Sequence, residues 1–194
     1  MNVPEEFINY MAENLKHTDL IEILAAYPKT PINILISQAV QNSDPESLCY
    51  KYDKKGNPAV LGGITPAMEQ PTLFNNGYLS AGNPWFITTP DWKKDLSLMK
   101  HMLRKAPLWL GDAKTKYDIL YNYVWEKNQQ SLNLLKHLGF TVNYKIHNIN
   151  NTGLYFIIFF MENNFYVPSP SNTGRSRSGS TDIIPGRTIS DGPS

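Results

Sequence analysis

The chain has 194 residues, one domain's worth with a remainder, and its 41% hydrophobic and 12% aromatic content is enough to bury a core and excludes wholesale disorder. A formal charge of +1 argues against a histone-like nucleic-acid binder. A single cysteine, Cys49, excludes an internal disulfide framework and a multi-cysteine zinc site, and His17, His101, His137 and His147 fall in no metal-binding spacing. The longest apolar run, Leu154 to Met161, has eight residues, against the ~20 a membrane-spanning helix needs. The first residues carry neither a basic start nor an apolar stretch, so no secretory signal is expected.

The amino-terminal third reads as helical. Pro4 suits a first helical turn, with Phe7, Tyr10, Met11 and Leu15 following at helical spacing. Thr18 and Asp19 are cap residues for a second helix carrying Leu20, Ile23 and Leu24. Thr30-Pro31 opens a third, with Ile32, Leu35, Ile36, Ala39 and Val40 along one face.

A hairpin follows, with strands over 47–52 and 59–64 around a turn at 53–58. Gly62-Gly63 marks a bulge or a close approach of backbone or ligand. Residues 65–83 read as loop and Trp85 to Thr89 as a short strand. Thr89-Pro90-Asp91 is a helix start, after which Trp92, Leu96, Met99 and Leu103 recur at helical spacing until Pro107 interrupts; a short further helix reaches Lys116. Ile119 to Trp125 is rich in strand formers. A helix spans 129–137, and Gly139 is its stop. A last hairpin runs from Phe140 to His147, through the turn Asn150-Asn151, to Leu154–Met161. This order predicts a mixed α/β sheet of five to seven strands flanked by helices, with 47–64 at one end and 140–161 at the other.

Composition changes after Tyr166. Of residues 167–194, 18 of 28 are Pro, Gly, Ser or Thr, and all 23 aromatics precede them. Such a segment cannot bury enough apolar surface to offset its ordering entropy. The expected division is a domain over 1–166 and an extended tail over 167–194. The tail is either solvated or a docking peptide through Ile183-Ile184-Pro185-Gly186-Arg187-Thr188-Ile189.

The stretch Val124 to Phe140 resembles the strand–helix–Gly-Phe signature of the GNAT N-acetyltransferase superfamily, with Asn128 opening the helix, Ser131 three positions on, and Gly139-Phe140 closing it. Trp85-Phe86-Ile87-Thr88, the charged helix after it, and Tyr117-Asp118 through Asn122-Tyr123-Val124-Trp125 are similar to the GNAT-like internal virion protein A family of short-tailed phages. The resemblance spans roughly 47–161. It implies a GNAT-like fold, a role in assembling the virion with other virion proteins as partners, and a location in the particle or the host cytoplasm. It also implies an acetyl-CoA cleft between strands 85–89 and 119–125, adjacent, parallel and splayed. That cleft would place Thr88, Lys93, Lys94, Asn128 and Ser131 beside the cofactor.

The chain departs from the family's enzymes at two places. They carry a glycine-rich loop at the start of the helix that receives the pyrophosphate; here the residues are Thr89-Pro90-Asp91-Trp92-Lys93-Lys94. Proline lacks an N–H, the aspartate is negative, and no glycine permits close approach; Lys93 and Lys94 compensate in part. Many of the enzymes also have a tyrosine acid on the fourth helix, where this chain has Leu135; Tyr121 or Tyr123 would be substitutes, though both read first as packed strand aromatics. The expectation is either no cofactor or weakly bound acetyl-CoA.

Glu69 and Glu126 are candidate bases, read first as solvated carboxylates. His137 suits a helix C-terminus, and Cys49 reads as a small buried hydrophobe. Between Lys93 and Lys116 stand seven basic residues (Lys93, Lys94, Lys100, Arg104, Lys105, Lys114, Lys116) against Asp95 and Asp112. The run is a solvated helix face, or else a site for CoA phosphates, DNA or an acidic protein surface.

Overall fold

A computed structural model describes residues 3–67 and 80–163. Three helices come first: α1 (Glu5–Glu13), α2 (His17–Ala26) and α3 (Ile32–Asn42). Then follow β1 (Cys49–Tyr52), β2 (Pro58–Pro66) and β3 (Ala81–Thr88). A 3-10 turn over Pro90–Lys94 leads into α4 (Leu96–Lys114). The chain continues through β4 (Ile119–Trp125), α5 (Gln129–His137), β5 (Thr141–Asn148), a 3-10 turn over Ile149–Asn151, and β6 (Tyr155–Glu162).

The strands form one six-stranded sheet in the order β1-β2-β3-β4-β6-β5, with the two hairpins at opposite ends as expected. All neighbours are antiparallel except β3 and β4. One face of the sheet carries a cluster of Phe7, Met11, Ile36, Leu61 and Ile87, which joins α1 and α3 to β2 and β3. A second cluster joins α4 and α5 to the sheet through Leu110, Ala113, Leu132, Leu120, Val124 and Phe159. The last hairpin turns at Asn150 and Asn151, both at positive φ (52° and 53°), a region asparagine tolerates better than most residues. Gly139, at φ +87°, closes α5 as its position in the sequence requires.

Four local expectations are corrected. Pro107 does not break α4, which runs through it to Lys114. The ring is exposed, and burial of Leu110 and Ala113 on the far side holds the last turns against the sheet. The start at Thr89-Pro90-Asp91 yields only a 3-10 turn; α4 begins at Leu96, where Asp95 accepts the Leu98 N–H at 3.0 Å. Asp19 does not cap α2, which starts at His17 with Lys16 flanking it. Finally, β3 begins at Ala81 rather than Trp85. The tail over 167–194, its 183–189 segment and Glu69 lie outside the described residues.

The pair β3–β4 sets the geometry of everything that follows. Two residues are in register, Ala81 with Ile119 and Gly82 with Leu120, and then the strands part. Beyond that point β3 stays with β2 as far as Thr88, and β4 stays with β6 as far as Trp125. At the apex, a Cβ on Gly82 would lie 2.8 Å from Ile64 Cγ2 and 3.1 Å from Leu120 Cδ2, so only glycine fits the paired rung. Pro84 follows. Its carbonyl accepts from Asn122 of β4, so its nitrogen faces β4 too, and the ladder lacks a donor where the strands separate.

Candidate functional site: the wedge between the third and fourth strands

The opening between β3 and β4 forms part of a half-open cavity of about 1280 Å³ that extends along β1, β2 and α3. Leu103, Ala106 and Trp109 of α4 and Leu134 and Leu135 of α5, with Leu138 at its end, line one side; Ile23 and Ala26 of α2, Tyr27 at its end and Leu35 of α3 line the other. Near the apex, two asparagine side chains take the place of missing backbone rungs. Asn83 Nδ2 donates to the Tyr121 carbonyl at 2.7 Å, and Asn122 Nδ2 donates to the Pro84 carbonyl at 2.9 Å. Asparagine is depleted in strands, so two of them in facing strands were a signal that the reading of the sequence passed over.

At the open end of the wedge, α2 lies across both strand termini. The backbone N–H of Lys16 donates to the Thr88 carbonyl at 2.9 Å. Asp19 Oδ2 accepts from the Thr88 N–H at 3.0 Å and from its hydroxyl at 3.2 Å. One turn on, Glu22 Oε1 accepts from the Trp125 N–H at 3.2 Å and from Asn128 Nδ2 at 2.8 Å. Desolvation raises the Asp19 carboxyl above its ordinary range, against the pull of Lys16 and Thr88. Desolvation also pushes Glu22 up to about 7, with Asp19 adding to the rise and Asn128 opposing it.

Of the expected site residues, Thr88 and Asn128 hold this end of the wedge together with Asp19 and Glu22. Thr88 is buried, and its polar groups are engaged by Asp19 and Lys16. Asn128 is 2% exposed and caps α5, accepting the Ser131 N–H at 3.3 Å while holding Glu22. Ser131 lines the cavity. Lys93 reaches across the mouth to Gln130 of α5. Lys94 is exposed and pairs with Asp91 at 2.8 Å. Tyr121 and Tyr123 pack with Ile119 and Ile158, and burial raises the Tyr123 phenol. Burial pushes the Cys49 thiol up to about 11, which leaves it protonated at neutral pH. His137 is exposed at the end of α5, and the half-buried Glu126 donates its N–H to the Tyr155 carbonyl.

Asn128→Ala removes a cap worth about 1 kcal/mol and takes a donor from the half-buried Glu22. Urea denaturation of the variant should show a loss of about 2–3 kcal/mol; a loss under ~0.5 kcal/mol would show that the cap is idle.

The phosphate end of an acetyl-CoA molecule needs unpaired N–H groups at the start of the helix after β3. Of those groups, the Leu98 N–H is taken. The Leu98 N–H goes to Asp95 Oδ1 at 3.0 Å, and Asp95 Oδ2 binds the Lys54 N–H at 3.0 Å. The Leu98 N–H, with help from Lys54, holds the Asp95 carboxyl below its ordinary range, so a fixed negative charge occupies the helix end. Pro90 offers no N–H. The residues present do not fit the pyrophosphate, although the apolar slot behind it is open.

No family model matches the chain, and no curated protein matches it. Among solved structures it is similar to a GCN5-related N-acetyltransferase from Kribbella flavida, with 14% identity, 84% of this chain and 95% of that one covered, and a TM-score of 0.54. It is also similar to a GNAT-superfamily phosphinothricin acetyltransferase from Sinorhizobium meliloti, solved in complex with AcCoA, with 12% identity, 88% and 92% covered, and a TM-score of 0.58. A ribosomal-protein-alanine N-acetyltransferase from Brucella melitensis gives 12% identity, 84% and 98%, and 0.53. The fold is that of the GNAT acetyltransferases: a mixed sheet flanked by helices and opened between two parallel strands.

Proposed function

We propose that the chain is a virion morphogenesis protein that keeps the GNAT fold without efficient acetyl transfer. The carrying observation is Asp95, whose carboxylate fills the helix end where the cofactor's phosphates would rest. The likeness of 85–140 to the internal virion protein A family supports the particle as its place of work. The partners would be other virion proteins, engaged through the 183–189 segment, or DNA.

For DNA, the basic run 93–116 offers less than its count suggests. Lys94 is held by Asp91, and Lys116 by Asp44 and Glu46. Lys100, Arg104 and Lys105 stay exposed on α4. A second reading, an N-acetyltransferase acting on a host or phage amine, is favoured by the wedge, which Ser131 lines and behind which Asn128 caps α5.

The test is in particles. Phage made without this chain should assemble or infect poorly, purified wild-type particles or assembly intermediates should contain it, and supplying the intact chain should restore them. A chain absent from particles and intermediates, with normal assembly when it is deleted, would overturn the proposal. Truncation after Tyr166 tests the tail: it should leave the domain's melting temperature unchanged and abolish incorporation.

A further inference from the structure

Helix α2 is attached to the sheet by polar contacts at both strand ends and by Ile23, which packs against the cluster of α1, α3, β2 and β3. The side chains it buries are Asp19 and Ala25, while Leu24 and Tyr27 stand 42% and 56% exposed. Its start is tied to β3 through Lys16 and Asp19, and its middle to β4 and the cap of α5 through Glu22. Its last carbonyls, Ala25 and Ala26, accept from Asn150 Nδ2 at 3.1 and 2.8 Å. It therefore spans the ends of both splayed strands, and its Ile23 and Ala26, with Tyr27 just after it, wall one side of the cavity.

We propose that α2 is a strap across the open end of the wedge, fastened by Asp19 and Glu22 and loosened when Glu22 ionises. This inference goes beyond the reading above and does not depend on it.

Both hydrogen bonds to Glu22 end on one oxygen, Oε1. A protonated carboxyl keeps them through its carbonyl oxygen and places no charge in the half-buried site. An ionised one is a second carboxylate one turn from Asp19. Among the described residues, the charged groups acting there are few. On α2 itself Asp19 opposes ionisation and Lys16 favours it, and Lys16 is committed to Asp19 at 3.6 Å. From the 3-10 turn after β3, Lys93 acts on Lys16 and Asp19. From β4 and α5, Glu22 meets the neutral Trp125 N–H and Asn128 amide, and the turn after β5 contributes the neutral Asn150. His17, at the helix start, is exposed. Lifting the helix rehydrates the charge. Glu22 titrates near 7 in the closed form and near its ordinary 4.5 once hydrated. The open population therefore rises about 30-fold from pH 5.5 to pH 8.5.

Amide hydrogen exchange on the full chain, corrected for the intrinsic effect of pH, reads this opening directly. Amides of α2, Thr88 and Trp125 should exchange together through an event that leaves the β2 amides protected, and their protection should fall about 30-fold between pH 5.5 and 8.5. Glu22→Gln, which retains the acceptor, should keep protection high and flat across that range. Two results would overturn the strap: exchange of α2, Thr88 and Trp125 only together with β2, or an opening in the wild-type chain that does not respond to pH. The wild-type profile alone decides the second, even if the variant fails to fold.

Discussion

Replacing Phe7 with alanine is expected to lower the free energy of unfolding by about 3–5 kcal/mol. Phe7 is fully buried, and its ring meets those of Tyr50 and Tyr52 edge-on, with centroids 5.2 and 5.0 Å away. It packs in one cluster with Met11, Ile36, Leu61 and Ile87, which join α1 and α3 to β2 and β3. The amino-terminal helices lie outside the stretch that carries the family resemblance, so this residue decides whether they belong to the same core. The cavity left by truncation cannot close easily, because its far wall is the sheet itself. Urea denaturation, with slope and midpoint both recorded, gives the value. A loss under ~1 kcal/mol would mean that α1 is an appendage.

Stability should fall by about 3 kcal/mol between pH 4.5 and pH 8, and Glu22→Gln should flatten most of that fall. The sign follows from proton uptake. Burial holds the Glu22 carboxyl protonated up to about pH 7 in the folded chain, whereas unfolded it ionises near 4.5. Between those values the folded state binds the extra proton, so raising pH favours unfolding; above about 7 both states are ionised and the effect is complete. Asp19, raised by burial, acts in the same direction. Asp44, Asp91 and Asp95 are held below their ordinary range, the first two chiefly by lysine partners, Lys116 and Lys94, and Asp95 by the Leu98 N–H. Their contribution is present above about pH 4 and is lost in stronger acid. Maximum stability is therefore expected between about pH 4 and 5. Urea midpoints measured from pH 4 to 8 on both proteins check this, and a wild-type curve that rises across that interval would contradict it.

Local signals carried the region around α5. Asn128 as cap and Gly139 as stop bound the helix at the residues expected, and the Tyr-Val-Trp run of β4 begins and ends where its strand formers do. The parallel, splayed pair was legible only through the resemblance, since nothing in strand composition specifies which strands part. The start of β3 was hidden because Ala81-Gly82-Asn83-Pro84 are poor strand formers; pairing with Ile64, Thr65 and Pro66 of β2 imposes the strand. Pro107 misled because its local cost, about 3 kcal/mol, is outweighed by burial that only the tertiary fold creates. Asp95, three residues before Leu98, is an ordinary cap pattern that the stronger-looking Thr89-Pro90-Asp91 masks in the sequence. Glu22 had no local signal: it sits among Leu20, Ile23 and Leu24 like any surface acid, and only the ends of β3 and β4 turn it into a half-buried, hydrogen-bonded one.

Isothermal titration of the full chain with acetyl-CoA is the most direct test of the central claim, that Asp95 and Pro90 have removed the phosphate cradle from a GNAT fold. Losing two hydrogen bonds to a charged group, at ~1.5–3 kcal/mol each, weakens binding by roughly 10²-fold or more. The account predicts no saturable heat below about 100 μM acetyl-CoA. Saturable binding at low micromolar concentration would contradict it, and would assign to Lys93 and Lys94 the anchoring of the phosphates.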